Sequence, residues 1–502
     1  MKQKTAVIGS GAAGIASAIR LAAKGYDVSV FEQASQPGGK ISELRMIGFR
    51  FDKGPSLFTM PGLVDELFTL CGKDPRHYFN YQQLDQSCKY FWEDGTVINA
   101  WHDTGDFANE VAQKCGVAPS RITKFLKKSE KLYKITKDVF LFNSIHKFSN
   151  FFLPPYRKAL FHLHELDVFT SMHNRNSKWF SHPKIVQLFD RYATYNGSSP
   201  YKTPATLNII PHLEHNIGAY FPARGMYQII ESLYQLARDV GVKFFLNTAV
   251  EKIIVKDNTI KGVRINGKTE AFDIVVSDVD IVPLYKKLLP GQAFPAKQLE
   301  LERSSSAMIF YWGVEGQFPK LGLHNILFSE RYKEEFDHLF RSKSIIDDPT
   351  VYVFISSKKV ATDAPAGKEN WYVMINAPEN IGQDWDMLVS ETRKNIIKKI
   401  KRTLGVDIEK HIVAEHVADP RSIEKETGSF RGSLYGLSSN NKFSAFYRHP
   451  NFKKSIKNLF FTGGSVHPGG GIPLALASAK IIDKEIFDTK ENKHGSTKPE
   501  GR

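Results

Sequence analysis

Cysteine is nearly absent from this 502-residue chain: Cys71, Cys88 and Cys115 are few, odd in number and without metal-ligand spacing. That excludes a disulfide framework or a cysteine zinc site and matches thiols in a reducing compartment. No uninterrupted apolar segment reaches the ~18 residues of a transmembrane helix, so if a membrane matters the protein is expected to lie on it. The chain passes from Met1-Lys2-Gln3-Lys4 straight into a strand, and no signal peptide is expected. Acidic residues are under-represented, 53 against 68 basic, for a net charge of +15. This points to an anionic partner, a nucleic acid or a negatively charged membrane surface. Zinc patterns, RNA-binding aromatic signatures and DNA-reading motifs are all missing, which argues against nucleic acid. No Ser/His/Asp or paired-carboxylate constellation is visible either. The polar tail from Thr489 to Arg502 is expected to be disordered. The apolar (42%) and charged (24%) fractions are those of a soluble globular protein, and the length exceeds one core, so two or three domains are expected.

Glycine is placed with purpose. Gly9-Ser10-Gly11-Ala12-Ala13-Gly14 follows the apolar run Ala6-Val7-Ile8 and opens an alanine-rich helix over 12–24 that Gly25 ends. A second strand over Asp27–Phe31 leads to Glu32 and Gln33. In such a βαβ unit Gly9 permits the turn, Gly11 lets backbone approach a pyrophosphate, Gly14 allows close helix–strand packing, and Ala13 lies in the first helical turn. The helix N-terminus offers free N–H donors to the phosphates. Glu32 suits ribose hydroxyls and would repel a 2′-phosphate. Gln36-Pro37-Gly38-Gly39-Lys40 follows, with Lys40 as a cation near a phosphate, and then Phe51-Asp52-Lys53-Gly54-Pro55-Ser56.

At the other end, Leu459-Phe460-Phe461-Thr462 is an apolar strand running into Gly463-Gly464, and His467-Pro468-Gly469-Gly470-Gly471-Ile472-Pro473 opens a second alanine-rich helix. Pro473 suits its first turn, and the helix N-terminus could stabilise negative charge on a reduced flavin. A dinucleotide held by both ends of one chain is a flavin rather than a freely exchanging nicotinamide, and FAD is the expected cofactor. A middle segment joins the same domain: an amphipathic helix over 226–240, then strands beginning at Phe244, at Val250 and at Ile260, an Asn266-Gly267 hairpin, and Ile274–Asp278 returning to the sheet. Residues 1–90, 215–290 and 445–488 are thus expected to form a discontinuous FAD-binding domain. Residues 90–215 and 290–445, rich in aromatics, would form a substrate and membrane-associating domain.

These residues resemble the bacterial-type carotenoid desaturases (phytoene desaturase-like flavoproteins). The motifs are Val7–Gly14 with Glu32, Pro37–Lys40, Asp52–Ser56, Ser199-Pro200-Tyr201-Lys202-Thr203-Pro204-Ala205, Phe221-Pro222-Ala223-Arg224-Gly225-Met226, Ser277-Asp278-Val279-Asp280 and His467–Pro473. The match spans nearly the whole chain, and within the family the general resemblance is to the 1-hydroxycarotenoid 3,4-desaturases, also described as γ-carotenoid desaturases. Lys40 stands where the family usually has Arg, losing the bidentate fork. Arg224 stands where many relatives have Gly and could alter contacts near the flavin or the substrate entry. The resemblance implies an α/β fold: a Rossmann-like FAD-binding domain of the flavin amine oxidase/carotenoid desaturase type, an interleaved α+β substrate domain and a helical membrane-contact region. It implies allylic hydride transfer to flavin with proton loss, and reoxidation by dioxygen or a quinone. His467 is a candidate proton shuttle or a turn-fixing residue. The same fold and motifs would serve a multistep phytoene or lycopene desaturase, or a retinol-saturase-like enzyme running the chemistry in the reducing direction. Rab escort-type proteins use a similar architecture to bind isoprenoid groups without flavin, a reading that the intact glycine fingerprint, Glu32 and the block His467–Pro473 argue against. The basic stretch 121–160 has Phe125/Leu126, Leu132/Tyr133 and Val139/Phe140 at seven-residue spacing. A cationic amphipathic helix running into the loop Phe148–Leu153 is expected as a monotopic membrane contact, on the cytoplasmic face of the membrane.

Overall fold

The computed structural model describes residues 2–162, 165–294 and 301–494. A parallel sheet of five strands organises one half. It contains β1 (Lys4–Ile8), β2 (Asp27–Phe31) and the strands Lys243–Phe245, Ile274–Ser277 and Leu459–Phe461. Their order across the sheet is 459–461, 274–277, β1, β2, 243–245. Parallel strands are covered on both faces, hence the unbroken burial of Ile274, Val275, Val276 and Ser277. One face carries α1 (Ala12–Ala23), buried on every side from Ala12 to Leu21. It packs against the helices Gln228–Asp239 and Ile472–His494, and its small residues let the three approach closely. The strands Val250–Lys256, Thr259–Ile265 and Lys268–Ala271 form a separate antiparallel sheet. Its second turn is Asn266-Gly267, both at positive φ (48° and 74°), as a two-residue hairpin requires.

A second, mostly antiparallel sheet of seven strands runs in the order 412–418, 306–315, 368–377, 351–354, 324–327, 86–91, 97–101. Gln86–Phe91 and Val97–Trp101 both belong to it, so a division at residue 90 cuts a strand. Side chains alternate between its faces. Met308, Phe310, Trp312, Trp371 and Val373 pack against the helix Trp385–Leu404. Ala307, Ile309, Tyr311, Tyr372 and Met374 face the other way, toward a cavity.

Asp52 joins two of the motifs. Its carboxylate accepts the amide N–H groups of Met226 (2.9 Å) and Tyr227 (3.0 Å) and pairs with Arg50 (2.7 Å), which also reaches Asp363. Gly225 lies so close that a Cβ there would be 2.6 Å from both Arg50 Nη1 and Asp52 Oδ2.

The helix Pro119–Thr136 corrects one expectation. Phe125, Leu126, Leu132 and Tyr133 are buried; the Phe125 ring packs on Phe180 and Phe189. The apolar stripe is core and its lysines line a solvated back, with Lys128 paired to Asp167 and Lys131 to Glu165. The exposed aromatics come later: Phe148 (75% exposed), Phe152 (70%), Phe161 (77%) and Phe169 (85%). The last helix also continues through 489–494, where disorder was expected; residues 495–502 of that tail lie outside the described residues. Among the described residues no helix is long and apolar enough to cross a membrane.

Phe125→Ala should therefore cost about 3–5 kcal/mol in urea unfolding, as a cavity-forming core substitution. Phe152→Ala should change stability by no more than about 0.5 kcal/mol.

Candidate active site

In an open parallel sheet, ligands bind where the strands end on their C-terminal side. Here β1, Ile274–Ser277 and Leu459–Phe461 end together, bringing Gly9, Asp278 and Gly463 to one place. Asp278 Oδ2 accepts the Gly14 N–H at 3.0 Å. A Cβ at Gly11 would lie 2.5 Å from that oxygen, and one at Gly463 2.2 Å from Oδ1. Gly14 packs as closely, since a Cβ there would meet Gly9 O at 2.2 Å. Close approach of the Asp278 carboxyl to Gly11 and Gly463, and of the Gly9 carbonyl to Gly14, thus demands glycine at these positions at both ends of the chain.

At the tip of β2, the Glu32 carboxylate accepts Ser10 N–H (2.8 Å), Ser10 O–H (2.9 Å) and Ala34 N–H (2.9 Å). These bonds fix its direction and leave lone-pair capacity for ribose hydroxyls. A cavity of about 1030 Å³ opens from here. Every cofactor-binding candidate named from the sequence lies on its wall except Gly14, which sits one layer behind, bonded to Asp278. The C-terminal block is shaped by packing. A Cβ at Gly469 would come within 2.8 Å of Arg448 Nη1, and one at Gly470 within 2.8 Å of Tyr435 Cα. Gly471, Ile472 and Pro473 then put the positive end of the last helix on the wall.

Two expectations, on His467 and Arg224, need correction. Lys40 stays on the cavity wall, where Nζ donates to Leu434 O (2.7 Å) and Ser433 O (3.4 Å), tying its loop to that segment. Burial lowers its pKa, opposed by Asp280 and Asp278. His467 is not on the cavity wall. Its ring is buried, its Nε2–H donates to Asn143 O (2.9 Å), and burial drops its pKa to about 3. Off the wall and bonded to a carbonyl of another segment, the ring is placed to fix the turn. Arg224 points away from the cavity, exposed and paired with Glu231 at 3.1 Å.

The cavity extends over the second sheet, past Tyr311, Tyr372 and Tyr352, to a polar group that motif reading missed: Arg191, Glu214, Tyr195 and His324. Arg191 and Glu214 are a buried pair (2.8 Å) on separate segments, so no local spacing signals them. Cys88 is also on the wall; burial raises its thiol to about 12. The described residues include no group of His, Cys, Asp and Glu able to hold a metal.

A crevice built from Cβ-intolerant glycines, two helix N-termini and an oriented carboxylate with free lone pairs fits a dinucleotide, and the adjoining apolar chamber leaves room for a substrate beside it. The class is therefore an FAD-dependent oxidoreductase. The chain belongs to the flavin containing amine oxidoreductase family, whose model matches residues 12–481. It is 50% identical to 1-hydroxycarotenoid 3,4-desaturase of Flavobacterium sp. (strain P99-3), covering 97% of this chain and 99% of that one. It is 32% identical to 4,4'-diapolycopene oxygenase of Methylomonas sp, covering 97% and 98%. Those identities bear out the resemblance to the carotenoid desaturases. The fold is shared with putrescine oxidase bound to putrescine (TM-score 0.63, 13% identity, 97% and 99% covered). It is also shared with the CLA-producing fatty acid isomerase from P. acnes (TM-score 0.60, 13% identity, 97% and 99% covered).

Asp278 gives the site a pH dependence. Burial pushes its carboxyl up to about 7, with Glu32 adding to the rise and the Gly14 N–H and Lys40 opposing it. Below pH 7 it is neutral; above, an incoming pyrophosphate meets a negative charge or must carry in a proton. FAD affinity, followed by quenching of flavin fluorescence, should fall about tenfold from pH 6 to pH 9. Asp278→Asn should bind at least as tightly and lose that drift.

Proposed function

We propose that the protein desaturates an acyclic-ended, 1-hydroxylated carotenoid, forming a 3,4 double bond. The observation that carries this reading is one cavity with two characters, a glycine-lined nucleotide cradle at one end and an apolar, tyrosine-rich sheet face at the other. Such a chamber holds a long hydrocarbon against a flavin. The identity with the Flavobacterium relative over nearly the full length of both chains supports the substrate class.

When bound, FAD supplies a two-electron hydride acceptor. Two hydrogens leave adjacent carbons, one with its electron pair as hydride and the other as a proton; the remaining electron pair becomes the new π bond. Dioxygen or a membrane quinone then takes the electrons. The conjugated chain spreads the developing cation, so positioning and exclusion of water carry the catalysis and a strong protein base is not required. The residues that position the chain are those of the sheet face, where Tyr311 and Tyr372 pack edge to face at 5.4 Å.

Delivery of such a substrate calls for a membrane, and the exposed aromatics supply the contact. Phe148 packs on Phe151 and Phe152. Lys442 lies over the rings of Phe169 (5.1 Å) and Phe443 (5.2 Å), and Phe446 adjoins Phe140. With Arg157 and Lys158 exposed on the helix Pro154–Phe161 that follows Phe148–Phe152, these rings supply the basic, apolar face for peripheral attachment to anionic lipid on the cytoplasmic side.

The holoenzyme in liposomes loaded with a 1-hydroxylated, acyclic-ended carotenoid should yield a product lighter by one pair of hydrogens, with red-shifted absorption. No change there, with conversion of phytoene or lycopene instead, would replace the reading with a multistep desaturase. Phe148→Ser, Phe152→Ser and Phe161→Ser combined should reduce co-sedimentation with anionic liposomes at least fivefold while leaving the melting temperature unchanged; undiminished binding would place the membrane contact elsewhere.

A further inference from the structure

Among the described residues the buried cationic side chains are Arg20, Arg50, Arg191, Arg303, Lys399 and Arg448. All but the last are answered by acids. Arg20 pairs with Glu66, Arg50 with Asp52, Arg191 with Glu214 and Lys399 with Asp348, while Asp280 and Glu379 act on Arg303. The guanidinium of Arg448 instead makes long bonds to neutral oxygens. Nη1 donates to Tyr435 O (3.4 Å), and Nη2 to Leu437 O (3.3 Å) and Ser439 Oγ (3.5 Å). No carboxylate among the described residues acts on it, and burial lowers its pKa only to about 10, so it stays a cation. The neighbouring rings bring no charge: burial drops His449 to about 4 and His467 to about 3, and both are neutral.

An ionised group is costly to bury unless it is paired, so the anion that answers Arg448 is to be sought in what the protein binds. Its place is specific. The segment 448–451 is laced to the turn His467–Gly471: His467 N–H donates to His449 O (2.9 Å), and Asn451 Nδ2 to His467 O (2.7 Å). A Cβ at Gly469 would lie 2.8 Å from Arg448 Nη1 and 2.9 Å from Cζ, so the guanidinium rests directly on the turn. On the turn's other side Gly470 and Gly471 face the cavity with Tyr435, whereas Arg448 itself is off the wall. A full positive charge is thus held one layer of backbone from the N-terminus of the last helix, whose partial charge has the same sign. Like charges gathered at one buried point repel each other and together favour an anion.

Two parts of the cofactor carry negative charge. The pyrophosphate does so in every redox state, and the N-terminus of the first helix is the site built for it. The flavin ring does so only after reduction. Hydride transfer breaks a substrate C–H bond and puts two electrons and one proton on a neutral ring, which leaves it negative; the second substrate hydrogen departs as a proton to bulk water. We propose that Arg448, acting through the Gly469–Gly471 turn and in concert with the last helix, holds this negative charge and so raises the flavin's readiness to accept electrons. Arg448 acts through the turn and is not itself a catalytic residue. The assignment holds for any donor of the hydride and does not rest on the carotenoid reading. An opposite charge a few ångströms away moves an ionisation by about one to three units, so through one layer of backbone an effect of about tenfold is the lower end.

The test needs no substrate. FAD-loaded wild type is compared with Arg448→Gln, which keeps N–H donors for the Tyr435 and Leu437 carbonyls, and with Arg448→Lys, which keeps the charge. Against reference dyes, wild-type FAD should have a two-electron midpoint potential at least about 30 mV above free FAD titrated alongside, a tenfold preference for the reduced form. Arg448→Gln should lose that preference about tenfold. It should also weaken, by at least about tenfold, the bleaching of bound FAD by sulfite, whose adduct leaves the same negative charge on the ring. Arg448→Lys should retain both within about threefold. Affinity for oxidised FAD, read by flavin fluorescence quenching, should change less than about threefold in either variant. A wild-type potential at or below that of free FAD would overturn the proposal whether or not the variants fold. An unchanged potential in folded Arg448→Gln would overturn it too. If that variant binds oxidised and reduced FAD equally weakly, the charge serves the pyrophosphate and the proposal is wrong. If it takes up no FAD, Arg448→Lys decides: a potential fallen to that of free FAD would remove the role of the charge.

Discussion

The Asp278 carboxyl is buried where three parallel strands end, and the backbone can close around it only because the residues facing it carry no side chain. Gly11 and Gly463 come from opposite ends of the chain, yet each would drive a Cβ into one or other of its oxygens. Gly14 donates its amide to it. The cradle, the direction of the first helix and the placement of the last helix all depend on this approach, because Gly463 leads directly into the turn that aims Gly471–Pro473 at the cavity. Burial in turn keeps the carboxyl neutral in the acid half of the physiological range, so a group that would oppose a pyrophosphate can sit at a helix N-terminus without doing so.

The second half of the molecule solves a different problem. A long apolar substrate needs a surface that is greasy, rigid and closed to water, and a sheet with one face packed on a helix and the other on a cavity provides it. Alternation along each strand divides the two tasks: Trp312 and Trp371 turn to the core, while Tyr311 and Tyr372 turn to the ligand chamber.

The nucleotide half was legible because its chemistry is local. Gly9 to Gly14, Glu32 and Pro473 each do their work within a turn or two of neighbouring sequence, so spacing reveals them. The helix over 119–136 misled for a related reason: seven-residue spacing reports an apolar stripe, but whether that stripe meets lipid or protein depends on Phe180 and Phe189, which arrive from elsewhere in the chain. His467 likewise carried the right residue type in the right motif, and only the Asn143 carbonyl across from it revealed that the ring is spoken for.

The amino-acid sequence by itself determined the dinucleotide fold, the flavin and the family, since these follow from backbone geometry that particular residues at short spacing impose. Tertiary structure decided which aromatics are core and which are surface, that His467 lies off the cavity, and that Arg191, Glu214 and His324 meet on one wall. Such meetings join segments separated by long stretches of chain, and burial, which sets both the charge state of these groups and the cost of leaving one unpaired, exists only once the chain has closed around them.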